Sequence, residues 1–374
     1  MYKMYKFRLY PDSNQKILIS KTFGCYRFIY NYFLDICNKN RYIKAFDMCS
    51  KLKELYSEYE WLKEVDSCSL RCAIFNLEDA YKNYFSKRTN YPTYKSKYKR
   101  QTYRTNCIRS TYNGRQYSSI EIDLKERKIK LPKLGLVEIR GYRKLDKING
   151  KIINATVIKE TTNKYYVSVL VELEEEIKEK VKARTIVEID LGVKDLVVTS
   201  NGEKYANPKE LMKYENRIKK LQRKLSRQVK RSKNYNKTRV KISKLYSKVK
   251  NARKNNIIKI VNEIIEKNDI IVSEKLNVVN MSHKNNIAKN ILDASFGKIC
   301  EMLKRKSIQR GKYYYQIDRY YPSSQICSLC NSRKEEVKDL SIRTWKCDKC
   351  GNINDRDINA SINIMLEGLK MMYN

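Results

Sequence analysis

Near the N-terminus Tyr5, Phe7 and Leu9 alternate with Lys6 and Arg8. That period of two predicts a short strand over residues 2–10, ended by Pro11-Asp12. From about 12 to 88 the period lengthens. Leu18, Tyr26, Ile29, Tyr30 and Phe33, then Leu70, Ile74, Leu77, Tyr81 and Phe85, recur at helix spacing. Asn90, Pro92 and the Lys/Arg/Tyr run from Tyr91 to Arg104 predict an exposed basic connection. Short alternating strands are expected at 119–124, 128–131, 137–139, 152–159 and 165–173. Turn signals such as Asn149-Gly150 separate them, with the spacing of a small barrel or sandwich. The mixed-charge stretch 174–184 reads as a linker.

A second unit is expected to begin at Thr185. Strands over 187–190 and 196–199 are joined by a turn containing Gly192, and Asn201-Gly202 leads into a third near 204–206. Residues 208–267 carry Leu211, Tyr214, Ile218, Leu221 and Leu225, then Val240, Leu245 and Val249, predicting two helices broken near 234–236. Strands at 270–274 and 313–317 flank a helix at 295–305. A cysteine-rich segment follows at 322–352, and a last helix after Asp357. No internal repeat is visible.

Charge narrows the function. The 374 residues hold 80 Lys+Arg against 41 Asp+Glu, a formal net charge of +39. Such a particle repels itself unless it binds a polyanion, and nucleic acid fits better than an anionic membrane surface. With 41% hydrophobic residues the chain can build real cores, in two or three folded units. The 30 tyrosines can serve as core or as stacking faces for bases. No long apolar span or signal-peptide run is present, so a cytoplasmic, nucleoid-associated location is expected. Eleven cysteines, most of them scattered, suit a reducing compartment. The single histidine, His283, lies in a polar loop, which argues against histidine-base chemistry.

Four cysteines do form a motif. Cys327 and Cys330, then Cys347 and Cys350 after sixteen residues, make two CxxC knuckles at zinc-ribbon spacing. Four thiolates with no open position predict a structural Zn²⁺ on which the module's folding depends. Asp190 lies in an apolar strand, Glu274 closes another (IIVSE), and Asp357 stands in Asp355-Arg356-Asp357 before the last helix. Gathered together, these three would suit two Mg²⁺ ions acting on a phosphodiester. Singly they also read as a turn or cap aspartate, a surface charge and a helix cap. Between Lys209 and Lys259 stand 20 Lys/Arg and only 2 acidic residues. Lys219, Lys220, Arg223, Lys224 and Arg227 are therefore expected along a phosphate backbone, as are Lys95, Lys97, Lys99, Arg100 and Arg104 with Tyr94.

Together these segments resemble the TnpB family, transposon-encoded RNA-guided DNA endonucleases related to type V CRISPR effectors. YKFRLYPDSNQ and TFGCYRFIYNYFL are similar to the family's opening strand and first helix, YPTYKSKYKRQTYR to its basic segment, and KIINATVIKETTNKYYVSVLVE to its pre-nuclease strands. IDLGVKDLVVTSNG, IIVSEKL and CGNINDRDINASINI resemble the three RuvC-like nuclease motifs; DASFGKICEMLKRK and YYPSSQICSLC complete the pattern. The resemblance implies an α+β multidomain fold. A wedge β-barrel (1–11 and 91–180) would be interrupted by a helical recognition lobe (12–90). An RNase H-like nuclease domain (181–321 and 353–374) would be interrupted by the zinc ribbon (322–352). It assigns the catalytic, Mg²⁺-binding roles to Asp190, Glu274 and Asp357, with Asp355 assisting or capping the helix. It also implies a guide RNA from the transposon end, a target DNA beside a short motif, and one monomer per RNA, with a dimer open. Glu188 stands where the family usually has Gly, Asn331 where Gly is common, and Ser361 where Ala is common. Glu188 shares a strand face with Asp190 and is expected to add a fourth carboxylate or to crowd the ions. A miniature CRISPR effector using a crRNA, a non-cleaving guided repressor and a strand-transferring transposase are the other readings.

Overall fold

The computed structural model describes all residues except 40–41, 113–114, 142–147, 174–178, 277–287, 340 and 374. His283 therefore lies outside the described residues. The chain divides into two compact units, Met1–Glu176 and Ile177–Asn374. Among the described residues no helix is long and apolar enough to cross a membrane.

In the first unit, β1 (Tyr2–Tyr10) leads into three helices, α1 (Ser13–Lys39), α2 (Ala45–Glu58) and α3 (Ser67–Phe85). Asp66 caps α3, its carboxylate accepting from the Cys68 and Ser69 N–H groups. Eight further strands follow: β2 (Gln101–Asn106), β3 (Arg109–Tyr112), β4 (Arg115–Ser118), β5 (Glu121–Asp123), β6 (Lys128–Leu131), β7 (Gly135–Arg140), β8 (Lys151–Lys159) and β9 (Tyr165–Glu172). Seven of the nine form one sheet in the order β2-β8-β9-β1-β7-β6-β5, every pair antiparallel, and β3 and β4 form a separate ribbon. Alternation buries Tyr5, Phe7 and Leu9 of β1 in a core shared with Phe23, Ile29 and Phe33 of α1 and Leu70, Ile74 and Leu77 of α3. The run expected as an exposed connection is corrected in part. Its end, from Gln101, is β2, where Tyr103 and Thr105 point inward while Thr102 and Arg104 alternate with them.

In the second unit, β10 (Ile186–Asp190), β11 (Asp195–Thr199), β12 (Lys204–Ala206), β13 (Ile270–Glu274) and β14 (Tyr313–Ile317) form a sheet ordered β12-β11-β10-β13-β14. The strands β10, β13 and β14 run parallel, and β11 is antiparallel to β10 and β12. Between β12 and β13 lie α4 (Glu215–Ser226) and the 35-residue α5 (Lys233–Lys267). The break falls at 227–232, not at 234–236. Arg231 has φ +71° and the Ser232 hydroxyl caps α5 on the Tyr235 N–H, so Asn234 and Asn236 sit in the first helical turn.

After β13 come α6 (Ala288–Ala294) and α7 (Phe296–Gln309), and the chain ends in α8 (Arg356–Tyr373). Each face of the sheet has its own apolar layer. Val187, Ile189 and Ile271 pack with Ile260, Val261 and Ile264 of α5 and Phe296 and Ile299 of α7. Ile270, Val272 and Ile317 pack with Ile364 of α8. The period of two therefore sends residues 186, 188 and 190 of β10, and 270, 272 and 274 of β13, to the α8 face. Contact there is close: a Cβ on Gly368 of α8 would lie 2.8 Å from Val272 Cγ1 and nearer still to Cγ2.

Candidate active site

The parallel register pairs Ile189 with Ser273, which carries the next residues, Asp190 and Glu274, to the adjacent carboxyl ends of β10 and β13. Strands lie about 4.8 Å apart, so these two side chains leave the same edge as neighbours. Asp357 comes from the opposite layer, in the first turn of α8. It is open to solvent and 3.5 Å from an Arg343 guanidinium nitrogen. Asp355, not Asp357, caps the helix: its Oδ1 accepts from the Asp357 and Ile358 N–H groups at 3.0 Å each. The Asp357 carboxylate is thereby spared the capping bond, and its charge acts on Asp190.

The electrostatics report this convergence. Burial raises the Asp190 pKa even though the side chain reaches solvent; the Leu191 N–H opposes the rise and the charge of Asp357 adds to it. Burial also raises Glu274, opposed by the Ser323 hydroxyl, which donates to Oε1 at 3.2 Å, and reinforced by Asp190. Glu188 is 5% exposed. Burial pushes its pKa up to about 8, with the Ser361 hydroxyl opposing and the charges of Asp190 and Glu274 adding. Carboxylates that repel one another at the carboxyl ends of parallel strands have the hard-oxygen donor chemistry of a divalent-cation site. Their oxygens are not drawn to one point, however. Among the described residues the four cysteines alone lie close enough to share an ion.

That second site fits its metal. The sulfurs of Cys327, Cys330, Cys347 and Cys350 all lie within 4.8 Å of one another, with Cys330 and Cys347 at 3.5 Å and Cys327 and Cys350 at 3.6 Å. The Ser332 hydroxyl and the backbone N–H groups of Cys350 and Lys349 push the Cys347 thiol down to about 6, the thiolate form that zinc requires. Asn331 holds φ +60°, the left-handed turn its position needs. Strands β15 (Thr344–Lys346) and β16 (Ile353–Asp355) pair beside the cluster, and its small core holds Val337 and Trp345.

Sequence reasoning missed the residues that fasten this module to α8. Asn359 and Asn363, 2% and 3% exposed, both donate to the Ser323 and Ile326 carbonyls, and Asn359 Oδ1 also accepts from the Ser328 N–H. Arg356, also buried, donates to the Asp339 carbonyl at 2.7 Å. The available signal was an i,i+4 pair of asparagines on the inward face of a helix.

The basic residues divide. Lys97, Lys99 and Arg100 are exposed. Lys95 is half-buried, with Nζ 4.0 Å from the Tyr30 ring centroid and its pKa lowered by burial. Arg104 is a half-buried residue of β2. Lys219, Lys220, Arg223 and Lys224 on α4 and Arg227 just after it are all exposed, and Lys219 pairs with Glu215 at 2.8 Å. A groove of about 950 Å³ runs between α4 and α5. Its lining includes eight cations and no acid: Lys220, Arg223, Lys224 and Arg227 of those expected, joined by Arg217 and by Lys241, Lys244 and Lys248 of α5, while Lys219 is not part of it.

Comparison with known proteins gives these features a family. Residues 168–285 match a profile described as "Probable transposase" of the OrfB type, and residues 296–364 match the Cas12f1-like TNB domain. Residues 1–44 match a profile described as a helix-turn-helix domain, where the structure holds a strand and one 27-residue helix. A Streptomyces pristinaespiralis protein named "Putative RNA-guided DNA endonuclease" is 31% identical over 98% of this chain and 89% of its own length. One of the same name from Escherichia coli K12, InsQ, is 29% identical over 97% and 92%. Among solved structures, the Cas12f1 chain of an sgRNA–target DNA complex superposes over 98% of both chains with TM-score 0.50 at 13% identity, a likeness of α+β fold. The order of motifs, the near full-length relatedness and the shared fold agree, and the chain belongs to the TnpB family.

Proposed function

We propose that the chain is an RNA-guided DNA endonuclease of an insertion sequence, cutting target DNA by Mg²⁺-dependent phosphodiester hydrolysis at one site. What supports this reading is that Asp190 and Glu274 leave the adjacent carboxyl ends of β10 and β13 while Asp357 opens α8, the charge of Asp357 acting on Asp190 and that of Asp190 on Glu274. The mixed five-stranded sheet with helices on both faces fits an RNase H-like nuclease domain, and the seven-stranded antiparallel sheet with α1–α3 fits a wedge domain carrying a helical lobe. Relatives of that name along nearly the whole chain support guide RNA and target DNA as partners.

Asp190, Glu274 and Asp357 would hold the ions. When bound, Mg²⁺ supplies a lowered pKa for an attacking water and neutralises charge on the leaving oxygen. Burial and like charge raise Asp190 and Glu274, so a cation beside them would relieve that repulsion. Ser323 keeps Glu274 oriented, and Asp355 fixes the first turn of α8, hence Asp357. The acid-free groove between α4 and α5 would track the phosphates of RNA or of the guide–target duplex. Zinc on the four cysteines would be structural, with Asn359 and Asn363 tying its module to the catalytic helix. One site must cut two strands in turn, after they separate.

The test is expression with flanking genomic DNA, sequencing of the co-purifying RNA, and a Mg²⁺ cleavage assay on the target that RNA specifies. A discrete RNA ending in a variable guide is expected. Asp190→Ala is expected to retain RNA and target binding and to lose cutting. Cutting by that variant at the wild-type rate refutes the site, and target binding by the wild type without Mg²⁺-dependent products favours a non-cleaving repressor.

A further inference from the structure

Position 188 lies where the fold calls for an apolar side chain. It is between Ile186 and Asp190 on the α8 face of β10, beside the cluster of Val272 and Ile364, and it is 5% exposed. The residue is a glutamate. Its carboxylate takes one hydrogen bond among the described residues, from the Ser361 hydroxyl to Oε2 at 3.1 Å. The charges acting on it, Asp190 and Glu274, share its sign. An ionised carboxylate so buried is costly unless a positive charge joins it, and among the described residues no Lys or Arg pairs with it.

The helix is in register with the strand. Asp357 and Ser361 are four residues apart on α8, about 6 Å along one face. Glu188 and Asp190 are two apart on β10, about 6.6 Å along one face. Ser361 thus meets Glu188 while Asp357 acts on Asp190.

We propose that Glu188, oriented by Ser361, is a fourth carboxylate of the cation site and raises its affinity for divalent cations. This rests on reading Asp190, Glu274 and Asp357 as cation ligands. Glu188 is buried where Asp190 is open to solvent, so it serves the cation rather than the DNA. Ser361 is a positioning residue that acts only through Glu188.

The test uses the protein purified with its RNA and Mn²⁺ as the probe, with binding followed by electron paramagnetic resonance. Ions held by the RNA are subtracted with the same RNA measured free of protein. Glu188→Gln keeps an oxygen for the Ser361 hydroxyl and removes the charge; it is expected to weaken Mn²⁺ at the site by about tenfold or more. Ser361→Ala is expected to weaken it less, by about threefold, the loss of one hydrogen bond to a charged group. In the Glu188→Gln background it should add nothing, because its target charge is gone. Melting curves confirm that each variant is folded. Unchanged Mn²⁺ affinity in Glu188→Gln, with the site lost in Asp190→Ala, overturns the role of Glu188 alone. A site that survives Asp190→Ala overturns the reading on which it rests.

Discussion

Replacing Gly368 with alanine should damage both the stability and the chemistry of the second unit. A helix-interior Gly→Ala change ordinarily stabilises by about 1 kcal/mol. Here the new methyl would lie 2.8 Å from Val272 Cγ1 and 3.2 Å from its Cβ, with Cγ2 closer still. Contact with both methyls and with Cβ leaves no rotamer of Val272 that escapes, and Val272 is fully buried. Ordinary carbon contacts begin near 3.5 Å, so α8 must withdraw from β13 by roughly 1 Å. Overpacking of this kind costs about 1–3 kcal/mol. The severe geometry belongs at the upper end, leaving a net loss of roughly 1–2 kcal/mol and a fall in Tm of about 2–8 °C for a unit of this size. The same movement separates Asp357 on α8 from Glu274 on β13, and a misplacement of about 1 Å can cost 10²-fold in rate. Thermal melts and single-turnover cleavage would be measured for Gly368→Ala, Val272→Ala and the double variant. Val272→Ala alone should cost about 2 kcal/mol. In the Gly368→Ala background it should cost much less, because the added methyl fills the space. Gly368→Ala at wild-type stability and rate, or a double variant whose loss is the plain sum, refutes the packing argument.

Stability of the metal-free protein should depend on pH through Glu188, held at about 8 against 4.5 for the free side chain. A raised carboxyl pKa favours the folded state below about 4.5 and loses that contribution as pH climbs through 8, at most roughly 5 kcal/mol. Asp190 and Glu274, also raised, act in the same sense. Tm should therefore fall from pH 5 to pH 8 without Mg²⁺, and Glu188→Gln should flatten the profile; a rising profile sinks this account. Cys347→Ser should release the zinc, measured by atomic absorption, and expose the segment around Ser323–Ile326 to hydrogen exchange, whereas full retention of the ion would contradict a four-sulfur site. Lys220→Glu with Lys244→Glu should weaken RNA binding across sequences and lower the salt slope by about 2, and an unchanged slope would remove the groove from the RNA path.

Where the hydrophobic period decides structure, the sequence was legible. β13 and β14 lie at the expected residues because IIVSE is a short buried run and YYYQI a half-buried one that ends on the buried Ile317. Where a cap decides, composition misled: Asn234 and Asn236 look like breakers, but Ser232 and the left-handed Arg231 end the loop before them. β2 was hidden because its lysine- and tyrosine-rich approach outweighs the alternation of Tyr103 and Thr105. The carboxylates could be nominated from their strands and motifs, and the cysteines from spacing alone. The Ser361–Glu188 and Asn359–Ser328 contacts could not, because each joins segments more than thirty residues apart whose meeting depends on helix register.

The cysteine module is held by docking marks written into α8. Asn359 and Asn363 are polar residues on the inward side of α8, tolerable there because the loop carbonyls of Ser323 and Ile326 receive them. Excising the module would strip both amides of their acceptors and leave two buried polar groups at a cost of about 1–3 kcal/mol each. The module is thus exchangeable only as a set with α8. A chimera that trades residues 322–352 between relatives should fold when the first two turns of the final helix travel with them.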